Sequence, residues 1–142
     1  MNKCKFNIYL AGPMSGVSWE EQNQWRKHIK NYIEHYASIP VHCINPCSFY
    51  NLKDRLHNTE LEVLDWDLNM VKSSDLVICM LSNTSVGSIM EIAVARENGI
   101  PILGLYLNED TKLHPWIENS VSRLFTDVND LLEYVMYFYL WG

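Results

Sequence analysis

Apolar and polar residues fall in alternating blocks along the chain, and the blocks predict strands and helices in turn. Phe6 to Ala11 is a short apolar run stopped by Gly12-Pro13, which predicts a buried first strand feeding a loop. Ser18-Trp19-Glu20-Glu21 has capping-box spacing, and Trp25, Ile29, Tyr32, Ile33 and Tyr36 follow at helical intervals as an inward stripe that Pro40 closes. Val41 to Asn45 reads as a second strand ended by Pro46, and Cys47 to His57 as a loop with one helical turn. Glu60 to Lys72 is expected to be helical, because Leu61, Leu64, Leu68 and Val71 recur on one face, and Ser74-Asp75 ends it. Leu76 to Leu81 is the clearest buried strand. The polar loop Ser82 to Val86 then leads to Gly87-Ser88, at the mouth of a helix over Ile89 to Glu97 that stops at Asn98-Gly99. Pro101 to Tyr106 predicts a fourth strand, Leu124-Phe125 a fifth, and Asp130 to Tyr139 a final helix.

The order β-α-β-α-β-α-β predicts an α/β fold: a doubly wound, flavodoxin-like or Rossmann-like parallel sheet with helices on both faces. Ligands in such folds bind beyond the carboxyl ends of the strands. The sequence contains no internal repeat, low-complexity segment or linker, so residues 1–142 are expected to form one domain.

Composition narrows the function. At 142 residues the chain is long enough to bury a core without disulfides or metal staples. The net charge of -6 and the scattered basic residues argue against a nucleic acid polymer as partner. Cys4, Cys43, Cys47 and Cys79 form no CxxC pair and read as reduced cytoplasmic thiols. Phe6 to Ala11 is shorter than a signal-peptide core and no run reaches membrane-spanning length, so neither a signal peptide nor a membrane partner is expected. The aromatic stretch Tyr134 to Trp141 suits a subunit contact or packing back onto its own domain. His28, His35, His42, His57 and His114 lack ligand-like spacing, so no metal site is expected.

Three loops follow predicted strands and would meet at one edge of the sheet: Gly12-Pro13-Met14-Ser15-Gly16, the Asn45-Pro46 turn, and Ser82 to Ser88. Only the third delivers an acid onto the first turn of a helix, namely Glu91, and Gly87 would let a substrate approach the backbone there. A glutamate in that place would also complement the helix dipole. Asp67 is the second candidate acid, with a solvated surface charge as the alternative, and Asp65 beside it faces elsewhere. Asp75 is better placed to cap the turn into the strand. Met14, Met70 and Met90 would suit a base pocket or plain core packing, and Trp116 and Phe125 a subunit interface or the core.

The segments Ile8-Tyr9-Leu10-Ala11-Gly12-Pro13-Met14, Asp67 through Asp75, and Gly87-Ser88-Ile89-Met90-Glu91-Ile92-Ala93-Val94-Ala95 resemble the three signature segments of nucleoside 2-deoxyribosyltransferases. They are also similar to those of the related deoxynucleoside 5'-monophosphate N-hydrolases. The resemblance runs from about Phe6 to Tyr106. It implies that Glu91 is the nucleophile, that Asp67 handles the nucleobase proton and that Tyr9 helps to position the nucleophile. Gly12, Pro13, Met14, Gly87 and Ser88 would then border the substrate. The resemblance further implies deoxynucleosides and free nucleobases as small-molecule partners, no cofactor, and active sites completed across a homo-oligomer built from dimers, in some cases hexamers. Cleaving a glycosidic bond develops oxocarbenium character at C1', so an ionised carboxylate facing the sugar and an acid for the leaving base form a rational pair.

Two departures bear on the substrate. Where the transferases commonly carry an aspartate for the sugar's 5'-hydroxyl, this sequence has Ser85, as the nucleotide hydrolases do. Where they usually present Asn-Leu-Met from a neighbouring subunit, it has Lys112-Leu113-His114. Ser85 and Lys112 together would suit a 5'-phosphate, although Lys112 also fits a solvated loop. The expected activity is therefore base exchange on 2'-deoxynucleosides through a Glu91-linked intermediate. Hydrolysis of deoxynucleoside 5'-monophosphates is the alternative, and a nucleotide-binding module without turnover a third reading.

Overall fold

A computed structural model of the chain describes residues 5–14, 16–48 and 59–141. Ser15, Cys4, His57 and most of the Cys47 to His57 loop lie outside the described residues. Five parallel strands form one sheet: β1 (Phe6–Ala11), β2 (Val41–Ile44), β3 (Leu76–Met80), β4 (Ile102–Leu105) and β5 (Arg123–Phe125), in the order β2-β1-β3-β4-β5. That is the flavodoxin-like order of a doubly wound sheet, whose crevice opens where the winding reverses, between β1 and β3.

Strand alternation divides the core in two. Ile8, Leu10, Ile78, Leu103 and Leu105 point to one face, where α1 (Trp19–Tyr36) and α5 (Val128–Tyr134) cover them with Ile29, Ile33, Leu131 and Leu132. Tyr9, Ala11, Val77, Cys79 and Ile102 point to the other. There α2 (Glu60–Lys72), α3 (Val86–Glu97) and the short α4 (Pro115–Glu118) supply Val71, Ile92, Ala95 and Ile117. Among the described residues no helix is long and apolar enough to cross a membrane.

Local chemistry sets the element ends. Ser18 Oγ accepts from the Glu21 N–H at 3.2 Å to open α1, and the Glu62 carboxylate accepts from the Thr59 N–H at 2.8 Å to open α2. Gly99, at φ 68, follows the Asn98 cap of α3 in the left-handed region that favours glycine. Asp75 Oδ2 accepts from the Asn7 N–H at 2.8 Å, so it ties the start of β3 to β1.

Several sequence expectations change. The inward stripe of α1 is Asn23, Arg26, Ile29 and Ile33; Tyr32 and Tyr36 lie on its exposed margin with their rings 4.8 Å apart. On α2 only Val71 is buried, while Leu61 and Leu64 are exposed, because this helix meets the sheet and α3 through its C-terminal half. The last helix begins at Val128, since Asp127 rather than Asp130 accepts the free N–H groups of the first turn, and ends in a π-helical turn over Val135–Tyr139. Helix α4 is absent from the sequence reading. Trp116 is 85% exposed and takes no part in the core, whereas Phe125 is buried in it.

Candidate active site

The candidate site residues are set by periodicity. Alternation along β1 sends Tyr9 to the α2–α3 face, where it is fully buried. On α3 the inward stripe is Ser88, Glu91, Ile92 and Ala95, so an acid is carried inside at 9% exposure. Asp67 is half-buried on α2, one turn before Val71, the residue that anchors this helix to the sheet.

These three groups act on one another. Burial pushes the Glu91 carboxyl up to about 8; the Tyr9 hydroxyl and the Arg26 guanidinium draw it down, and the Asp67 charge adds to the rise. The Tyr9 phenol is held above its ordinary value by burial and by the charges of Glu91 and Asp67, so it keeps its proton and is available as a donor. Yet Tyr9 Oη and Glu91 Oε2 are both buried without a hydrogen-bond partner among the described residues. The phenol is near enough to act on the carboxyl, but no bond of proper geometry closes between them. An unsatisfied buried polar atom costs about 1–3 kcal/mol, and folded proteins hold few outside functional sites.

The β3–α3 loop corrects one expectation. Ser85 is the N-cap of α3, so Val86, Gly87 and Ser88 belong to its first turn and Glu91 lies in the second, with no acid in the first. The dipole-complement reading of Glu91 loses its basis, because that effect fades beyond the first turn. The Ser85 and Ser88 hydroxyls are 2.8 Å apart. A Cβ on Gly87 would lie 4.0 Å from Glu91 Oε1, so Gly87 borders the carboxyl without covering it. Asn83 joins this loop to the next one, donating to the Lys112 carbonyl at 3.0 Å and accepting from the His114 N–H at 2.8 Å. His114 caps α4, its Nδ1 accepting from the Trp116 N–H, and both His114 and the Lys112 side chain stay exposed.

Gly12-Pro13-Met14 follows the carboxyl end of β1. Gln22 Nε2 donates to the Met14 and Val17 carbonyls at 2.5 and 2.6 Å, and Arg26 Nη2 to the Gly12 carbonyl at 3.0 Å. Asn23 Oδ1 accepts from Asn45 Nδ2 at 2.8 Å, which brings the β2 turn to the same edge. A Cβ on Gly12 would fall 2.6 Å from Trp25 Cζ2 and 3.2 Å from Arg26 Nη2, where no real Cβ fits. Gly12→Ala should therefore lower stability by about 1–3 kcal/mol through overpacking, read as a lower urea midpoint at unchanged slope. A midpoint equal to the parent's would show that Trp25 yields freely.

Sequence reasoning missed Gln22, Asn23 and Arg26. The apolar stripe drew attention to Ile29 and Ile33, but positions 22 and 26 precede them at helical spacing and share their face. Of the methionines, Met14 and Met70 are half-buried and Met90 is exposed. Among the described residues no three His, Cys, Asp or Glu side chains form a metal-ligand set. Two surface hollows, lined by residues such as Arg123, Tyr134 and Phe138 or Tyr36, Met136 and Trp141, lie along α5 and the C-terminal turn, away from the acids.

Comparison with known proteins bears on the fold and the family. The fold is similar to a 2-deoxyribosyltransferase from the psychrotolerant bacterium Bacillus psychrosaccharolyticus, with TM-score 0.70 and 20% identity over 90% of this chain and 91% of that one. It is similar to a conserved protein from Enterococcus faecalis V583, with TM-score 0.70 and 22% identity over 91% and 96%. A CMP N-glycosidase from Clostridium botulinum shares the fold at TM-score 0.57 and 15% identity, again over 91% and 96%. A search of curated protein sequences finds no match. The family model described as "Nucleoside 2-deoxyribosyltransferase like" matches residues 5–107, a span that takes in β1 through β4 with Tyr9, Asp67 and Glu91. By that match the chain belongs to the nucleoside 2-deoxyribosyltransferase-like family.

Proposed function

We propose that this chain is an N-deoxyribosyltransferase that exchanges purine or pyrimidine bases on 2'-deoxynucleosides. The observation that carries the reading is the cluster of Tyr9, Asp67 and Glu91, with a buried carboxyl whose Oε2 has no bonded partner among the described residues. The ionised Glu91 carboxylate attacks C1' as the C1'–N bond breaks, and the departing base takes a proton from Asp67. A second base then attacks C1' of the deoxyribosyl ester, Glu91 leaves, and the proton returns to Asp67. Tyr9, a donor at every working pH, orients the carboxylate. The positive charge that grows on the sugar favours the ionised form of Glu91 at the moment of attack, which offsets the effect of burial. Because attack requires ionisation, kcat/KM should climb with pH toward about 8.

Gly12, Pro13, Met14, Gly87 and Ser88 would line the sugar and base. In this reading residues 1–142 work as one domain on small molecules in the cytoplasm, without a cofactor. The exposed aromatics Tyr137, Phe138 and Trp141 support assembly as a homo-oligomer. Ser85 favours a second reading, hydrolysis of deoxynucleoside 5'-monophosphates: it caps a 12-residue helix with no acid in its first turn, beside the loop of Lys112 and His114. Incubating deoxyadenosine with thymine should yield thymidine. Free deoxyribose alone, or turnover of deoxyguanosine 5'-monophosphate but not of deoxyguanosine, would replace exchange with hydrolysis. Binding without base release would leave only the third reading, a nucleotide-binding module.

A further inference from the structure

Arg26 is the largest of the fully buried side chains. Its guanidinium is bound almost entirely by neutral acceptors: Nε donates to the Leu10 carbonyl at 3.0 Å, Nη1 to the Gln22 carbonyl at 2.5 Å and to Cys47 Sγ at 3.5 Å, and Nη2 to the Gly12 carbonyl at 3.0 Å. The Trp25 ring lies 4.7 Å from its central carbon. Among the described residues no carboxylate lies within ion-pair distance. A buried cation without a paired anion is costly, and carbonyl dipoles alone offset only part of that cost. Among the described acids, Glu91 has a carboxyl that this charge draws down. The charge of Arg26 acts on Glu91, on Tyr9 and on Cys79 from α1, on the far face of the sheet, by way of the carboxyl end of β1.

We infer that Arg26 is a positioning residue of this site: its guanidinium carries the floor of the β1–α1 loop and supplies a buried positive charge at the carboxyl end of β1, the strand that holds Tyr9 beside Glu91. The inference deepens the proposed function and rests on Glu91 being the reacting carboxylate. Among the described residues the groups that act on Glu91 are Tyr9 from β1, Asp67 from α2 and Arg26 from α1, and Glu91 acts in turn on Cys79 of β3. Of these groups only Arg26 is a cation. The two roles separate by substitution, because lysine keeps the charge with fewer donors whereas glutamine loses the charge and keeps an amide.

The test is a carbon-13 NMR titration of the Glu91 carboxyl, assigned by its loss in Glu91→Gln, on the full chain and on its Arg26→Gln and Arg26→Lys variants. The pH profile of kcat/KM is recorded alongside. Arg26→Gln should move both the carboxyl midpoint and the acid limb upward by about one pH unit or more, roughly tenfold in kcat/KM on the acid side. Arg26→Lys should leave the midpoint within about half a unit while raising KM, because the loop floor loses donors. A glutamine variant with the parental midpoint overturns the inference. So does a lysine variant whose midpoint rises as far as the glutamine variant's, or one that changes neither midpoint nor KM, and the lysine variant decides the matter if glutamine prevents folding. The titration needs no turnover, so a midpoint that moves as expected in a chain without exchange activity overturns the proposed reaction and leaves the electrostatic role of Arg26 standing.

Discussion

Glu91→Gln is expected to remove at least about a thousandfold of kcat/KM while making the chain more stable. The amide cannot form the ester, so both half-reactions are lost together. Stability changes because the carboxyl titrates near 4.5 when the chain is unfolded and at about 8 when it is folded. A raised folded value means that the contribution of this group is fully present below 4.5 and is lost as pH rises through about 8. Above that range the buried carboxylate opposes folding by up to roughly 5 kcal/mol. Glutamine is neutral throughout, so the melting temperatures of variant and parent should agree near pH 4.5 and separate by several degrees near pH 8. Parental turnover in the variant would end the nucleophile assignment. A variant less stable than the parent at pH 8 would show a carboxylate held ionised by partners.

Asp67→Asn should cost about a hundredfold to ten-thousandfold in kcat, and the loss should depend on the leaving group. A purine or pyrimidine needs a proton to depart. A p-nitrophenolate does not, so the variant should cleave a p-nitrophenyl 2-deoxyriboside at close to the parental rate, while Glu91→Gln fails on both substrates. The raised carboxyl of Glu91 makes this comparison informative, since a group that holds its proton near neutrality has the character of an acid as well. If the phenolic substrate rescued Glu91→Gln and not Asp67→Asn, the two roles would be exchanged.

The sequence made the sheet legible because its interior strands are buried on both sides. Leu76–Met80 has no polar position to blur its edges, and the apolar repeat over Glu60 to Lys72, ended by Ser74-Asp75, gave α2 its observed bounds. The start of α3 was placed three residues late, because Val86-Gly87-Ser88 carries weak helical preference and reads as loop until Ser85 is recognised as a cap. Leu61 and Leu64 fit an apolar stripe that the sheet does not reach. Asp67 and Glu91, which the structure buries in part or nearly whole, were singled out through the three family-like segments. Arg26 was not, because a charge inside a helical stripe reads as surface unless the acceptors at the end of β1 are already in place. Helix α4 was missed for its length, although Pro115 directly after a capping His114 marks a helix start.

Tyr9 sits on β1, which has β2 bonded along one side and β3 along the other. Segments with neighbours on both flanks open only when the whole molecule opens, unlike a lid or a fraying end. The strand that carries this phenol therefore belongs to the last part of the chain to exchange its amide hydrogens with solvent. Tyr9 should hold its place until the chain unfolds as a whole.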